Sequence, residues 1–216
     1  MTLTVHPYSE QLERWPRSGR HILAQFDDDS IVVYQAYRPS IALFAMEHQR
    51  FGGEFSFSRM SWIKPNFLWM MHRSGWATKE GQEHILAVRL RRAFFDEVLE
   101  SCVGSSFGAS GYVDHEEWKA ALARSDVRLQ WDPDHDPHGH PVQRRAVQLG
   151  LRGEILRRYA ETELLGIEDV TAFAAEQRGC LHSSGMGNLL TPTENVYQPS
   201  TPAAAQAAGI ELNHDS

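Results

Sequence analysis

At 216 residues, with 42% hydrophobic and 23% charged side chains, the chain has the make-up of one globular domain with enough apolar surface for a sizeable core. A net charge of −7 argues against sequence-blind duplex binding through phosphate contacts, and no apolar run reaches the length of a membrane span. Two cysteines, Cys102 and Cys180, are too few for a disulfide framework, and the first residues are too polar for a signal peptide, so a cytoplasmic setting without a membrane partner is expected.

Residues 1–13 read as an N-terminal arm, residues 14–182 as a single domain and residues 183–216 as an extended or disordered tail, since Ser, Thr, Pro, Ala and Gly dominate there. Structure begins at HILAQF (21–26). IVVYQAY (31–37) is β-branched and aromatic between turn signals and is expected as a strand. Pro39 suits the first position of a helix that ends before Gly52-Gly53. EFSFSRMSWIK (54–64) alternates and is expected as a strand, FLWMMHR (67–73) as a short helix, HILAVRL (84–90) as a strand and AFFDEVLESC (93–102) as a helix. In the second half, HEEWKAALA (115–123) predicts a helix, VRLQWD (127–132) a strand, DPDHDPHGHP (132–141) an exposed loop and RRAVQLGL (144–151) a strand. Helices are expected over 153–165 and 167–178. The class is α+β, with a split, mainly antiparallel sheet flanked by helices.

Several motifs fail on inspection. Counted from Asp132, the sixth and twelfth positions of a calcium loop would be Pro137 and Gln143, where glycine and glutamate are required. His135, His138 and His140 could bind a transition metal adventitiously, but a polar loop is the favoured reading and no metal is expected. HEEWK at 115–119 lacks the second histidine of a zinc-protease helix, and Ser61-x-x-Lys64 stands before a proline rather than on a helix.

The run over 58–83 is different. It holds three tryptophans and three methionines, yet also Arg59, Lys64, His72, Arg73 and Lys79. Guanidinium groups stack on indole faces, and an aromatic wall beside cations suits a flat ring carrying phosphates. Trp69 and Arg73, four apart on a helix, share a face. The competing reading puts the Trp and Met side chains in the core with the cations at its rim. Tyr37 and Arg38 stand where a strand meets a helix start, a place that favours an anion. Gln148, inside an apolar strand, needs hydrogen-bond partners from the backbone or from a ligand.

YQAY at 34–37, RMSWIKPNFLWMMHRSGWATKEGQE at 59–83 and WDPDH…RRAVQLGLRG across 131–153 resemble the domain-of-unknown-function family numbered four-two-nine-one, over residues 14–182. The family name implies no activity. The order of elements is also similar to the split-sheet domain of ADP-ribosyltransferases, which use NAD. That resemblance implies catalytic roles for Arg38, Ser61 and Gln148. The mixed aromatic and basic residues supply the expected nucleotide cradle: Tyr37, Arg59, Trp62, Lys64, Trp69, His72, Arg73 and Trp76. Gln148-Leu149-Gly150 puts glycine where the pattern has a glutamate, so the implied acceptor is a nucleic acid or small molecule rather than a protein arginine. The alternatives are a non-catalytic binder of nucleotides or single-stranded nucleic acid, and a purely structural role for the central run.

Overall fold

The computed structural model describes residues 3–210. After β1 (Val5–Pro7), α1 (Tyr8–Arg14), β2 (Gly19–Arg20) and β3 (Ile22–Ala24), the β-branched run forms β4 (Ser30–Tyr37). Its residues are buried up to Gln35, which is why the run is almost continuously apolar. Pro39 opens α2 (Pro39–His48) at its first turn, and Gln49 closes it in the left-handed conformation.

Of the strand expected over 54–64, only β5 (Ser61–Ile63) forms. Phe55 does not alternate across a sheet but packs on Phe51, Tyr37 and Phe57, and that aromatic cluster holds residues 54–60 in turns. α3 (Phe67–Ser74) is capped by Asn66, whose side chain accepts from the Trp69 N–H at 2.7 Å. β6 (His84–Arg91) and α4 (Arg92–Glu100) form as expected, followed by β7 (Cys102–Gly104) and α5 (His115–Arg124).

β8 (Val127–His135) and β9 (Pro141–Leu151) make a long hairpin, so the loop expected over 132–141 shrinks to a tip of 136–140. Asp134 and His135 are buried rather than exposed. Arg144 explains the first: its Nε and Nη2 both donate to Asp134 Oδ2, at 2.8 and 2.6 Å, and its guanidinium lies over the Trp15 ring. Pro133 sits at the register shift of the hairpin, where a missing N–H costs no ladder bond.

α6 (Gly153–Glu161) is shorter than the helix expected over 153–165. Residues that read as helix become β10 (Leu164–Asp169), because β6 offers a free edge, and the next helix begins only at α7 (Thr171–Ser184). The expected tail also folds back. β11 (Leu190–Pro192) pairs with β1, β12 (Asn195–Tyr197) pairs with β3, and α8 (Pro202–Ala208) packs on α4. Its composition misleads because alanines 204, 205 and 208 are buried despite their size. Residues 211–216 of that segment lie outside the described residues.

The fold is mixed α and β, with mostly antiparallel pairs. One sheet runs β10-β6-β4; the other runs β2-β9-β8-β7, with β5 also on β9. Among the described residues one backbone bridge joins them, where Tyr34 and Lys64 exchange hydrogen bonds of 2.7 and 3.2 Å. The main core, including Val33, Val88, Leu149 and Leu156, lies between the sheets and helices. A second core under α3 joins Tyr34, Phe67 and Met70 to Tyr8, Trp15 and Leu189 from the two ends of the chain.

Candidate functional site

The seam between the two sheets opens into a cleft of about 980 Å³, at the upper end of the range for ligand pockets. β4 brings Tyr37 and Arg38 to it, and the segment through β5 brings Arg59, Ser61, Trp62 and Lys64. Trp69, His72 and Arg73 come from α3, while β8 and β9 supply Gln130, Asp132 and Gln148. Every expected site residue therefore lines this cleft except Trp76. Gly75, Trp76 and Ala77 are all left-handed (φ 60°, 57° and 64°), a strained turn that carries the indole away to a neighbouring cavity of about 140 Å³ beside Leu68 and Met71. The same turn, tied by Ala77 N–H donating to Ser74 Oγ at 3.2 Å, returns Lys79 and Gln82 to the cleft.

The central run is thus divided between core and site. Met70 and Met71 are buried in the second core, as the structural reading of the sequence holds for them. Trp69 is buried too, but it also borders the cleft, and its ring lies nearly parallel to His72 and His135. The two imidazoles stack with centroids 3.5 Å apart. Burial, then the facing His135, holds the His72 pKa below the ordinary imidazole value; burial does the same for His135.

Ser61 is not a free hydroxyl. Its Oγ accepts from Gln35 Nε2 at 2.8 Å and bonds to the Tyr37 hydroxyl at 2.8 Å, while Gln35 Oε1 accepts from Tyr159 at 2.5 Å. Burial pushes the Tyr37 hydroxyl far up, so it remains a proton-bearing partner in this network. Arg38 ion-pairs with Glu54 at 2.7 Å, both side chains being more than half exposed. Arg59 and Arg73, by contrast, have no ion-pair partner among the described residues.

Asp132 and Gln130 stand outside the residues expected from the sequence. Asp132 accepts from Gln130 Nε2 at 2.9 Å and from Gln148 Nε2 at 2.7 Å, so the Gln148 amide is spent on orienting a carboxylate. Gln130 and Gln148 are direct cross-strand partners, and Asp132 lies two residues along from Gln130 on the same face. The i, i+2 spacing was readable; the partner strand was not. Gly150 acquires a reason as well: a Cβ there would lie 2.6 Å from Met60 Sδ and 3.0 Å from Trp62 Cε2, so the glycine makes room for the Met60 thioether and the indole. Lys64 is 4% exposed at the seam, and burial, with Arg73 second, lowers its pKa to about 8 while Asp132 opposes the shift.

No group of three or more metal-ligating side chains occurs among the described residues, and none of their helices is long and apolar enough to cross a membrane. A search of curated proteins finds no match. A family model described as a domain of unknown function (DUF4291) matches residues 21–197, which is most of the chain, and the protein belongs to that family.

Proposed function

We propose that the protein is an ADP-ribosyltransferase-like enzyme that uses NAD as substrate and acts on a nucleic-acid or small-molecule acceptor. The observation that carries this reading is the presence of Arg38, Ser61 with Trp62, and Gln148 on one cleft, the three positions the resemblance to that superfamily names. The cleft has room for a dinucleotide, unpaired guanidinium groups at Arg59 and Arg73 for its phosphates, and indole surface at Trp62 for a flat ring.

In this reading the glycosidic C–N bond of NAD breaks and its electron pair leaves on nicotinamide. Positive charge develops on the ribose, and the Asp132 carboxylate, aimed by Gln130 and Gln148, is the group that stabilises it. The acceptor adds at the same carbon from its own nucleophilic atom and loses its proton to Asp132. Ser61, held by Gln35 and Tyr37, positions rather than attacks. Calorimetric titration with NAD, run beside an assay for released nicotinamide, tests the proposal. Saturable heat that Arg59→Ala weakens and catalytic nicotinamide release are expected; no heat and no release would overturn it.

A second reading, a non-catalytic binder of nucleotides or single-stranded nucleic acid, draws on the same unpaired arginines. It predicts oligonucleotide binding that weakens with salt and no nicotinamide release.

A further inference from the structure

We infer that Lys64, in its charged form, is the seat for an anionic group of the ligand, a phosphate or a group of like charge. The inference rests on the reading of the cleft as a site for a phosphorylated ligand, but it concerns one residue that this reading leaves undefined.

The geometry is unusual for a lysine. Its backbone is clamped by Tyr34 at the only bridge between the two sheets among the described residues, so the side chain starts from a fixed point. It is 4% exposed and lines the cleft, yet its ammonium has no hydrogen-bond or ion-pair partner among the described residues. Burying a cation without a partner is costly unless a partner arrives. The groups facing it do not supply one. Arg73 and His72 on α3, Arg59 ahead of β5 and Lys79 beyond α3 are basic, the Tyr37 hydroxyl is spent on Ser61, and the Asp132 carboxylate is engaged by two amides. Lys64 is thus a charge held in reserve beside Arg73, and an entering anion relieves the repulsion between them, whereas Lys79 already donates to the His72 and Arg73 carbonyls. Arg38, already paired with Glu54, is the weaker candidate for this role.

The linkage has a definite sign. With its pKa lowered to about 8, the free amine is mostly protonated near neutrality and mostly neutral one unit above that value. A bound anion favours the charged form, so binding weakens as pH rises through about 8 and is accompanied by proton uptake only above that value.

The test uses the full chain and two probes that do not titrate in this range, ADP-ribose and inorganic sulfate, with binding followed by tryptophan fluorescence near pH 7 and pH 9. For the wild type, affinity for both is expected to fall roughly tenfold between the two conditions. Lys64→Arg, charged at both, is expected to lose most of that dependence, and Lys64→Met to bind weakly throughout. Wild-type binding independent of pH, or Lys64→Met binding like wild type with an unchanged melting curve, would overturn the seat. Sulfate following Lys64 while ADP-ribose fails to bind removes the nucleotide reading and keeps the seat. ADP-ribose binding without regard to Lys64 does the reverse, and absence of binding by both probes removes both.

Discussion

Gln148 and Asp132 stand on adjacent antiparallel strands, and the amide of the first donates to the carboxylate of the second at 2.7 Å. Gln130 holds the other oxygen at 2.9 Å, so the carboxylate has one orientation and faces the cleft. A charge fixed in this way needs little reorganisation when opposite charge develops beside it.

Asp132→Asn keeps the size of the side chain and removes its charge. If the proposed transfer is right, nicotinamide release falls by about 100-fold or more. Nucleotide binding is retained, and the melting temperature falls modestly because one of the Gln130 and Gln148 amides loses its acceptor at a half-buried position. Single-turnover release measured beside a thermal melt checks both halves.

Trp62 and Trp69 separate binding from stability. Trp62 is half-buried in the cleft over Gly150, and Trp62→Ala is expected to cost ligand affinity with little loss of stability. Trp69 is buried, and Trp69→Ala is expected to cost about 3–5 kcal/mol in urea unfolding. Gly150→Ala should weaken binding less than Trp62→Ala, since the added methyl group collides first with the Met60 thioether and only crowds the indole.

The stacked imidazoles give a pH dependence. His72 and His135 both have folded pKa values below the ordinary one, so the folded state binds fewer protons than the unfolded state. Their contribution to stability is complete above the ordinary imidazole value of about 6.5 and is lost as pH falls through it toward the lowered values. His72→Phe keeps a ring in the stack and removes one titration. Melting curves between neutral and mildly acidic pH should therefore fall less steeply for this variant than for wild type.

The C-terminal segment holds the site helix. Glu194 is buried, and its carboxylate accepts from the Phe67 N–H at 2.6 Å and from Asn66 Nδ2 at 2.9 Å, at the start of α3. Glu194→Ala is expected to cost about 1–3 kcal/mol for each donor left unpaired. Removing residues 189–216 should abolish cooperative unfolding, as followed by circular dichroism, because Leu189, Tyr197 and the alanines of α8 leave the two cores with them.

Local pattern was sufficient where the physics is local. The β-branched run of β4, Pro39 at the first turn of α2, Asn66 and Gly75 at the ends of α3, and the alternation in β9 all follow from neighbours within a few residues. So does the mixture of indoles and cations over 58–83, which marks the cleft. Residues whose state depends on a distant partner could not be read in this way. β10 is a strand only because β6 leaves an edge open, Asp134 is buried only because Arg144 reaches it, and the Ala-rich end is ordered only because α4 receives it. The division of the central run has the same origin: which side of α3 meets the core is decided by Tyr8, Trp15 and Leu189, far away in the chain. Composition and spacing marked the indoles and cations that line the cleft. Strand pairing decided that Asp132 stands with Gln148 and that Lys64 lies buried at the junction, because each of these is a contact between segments that sequence alone leaves unpaired.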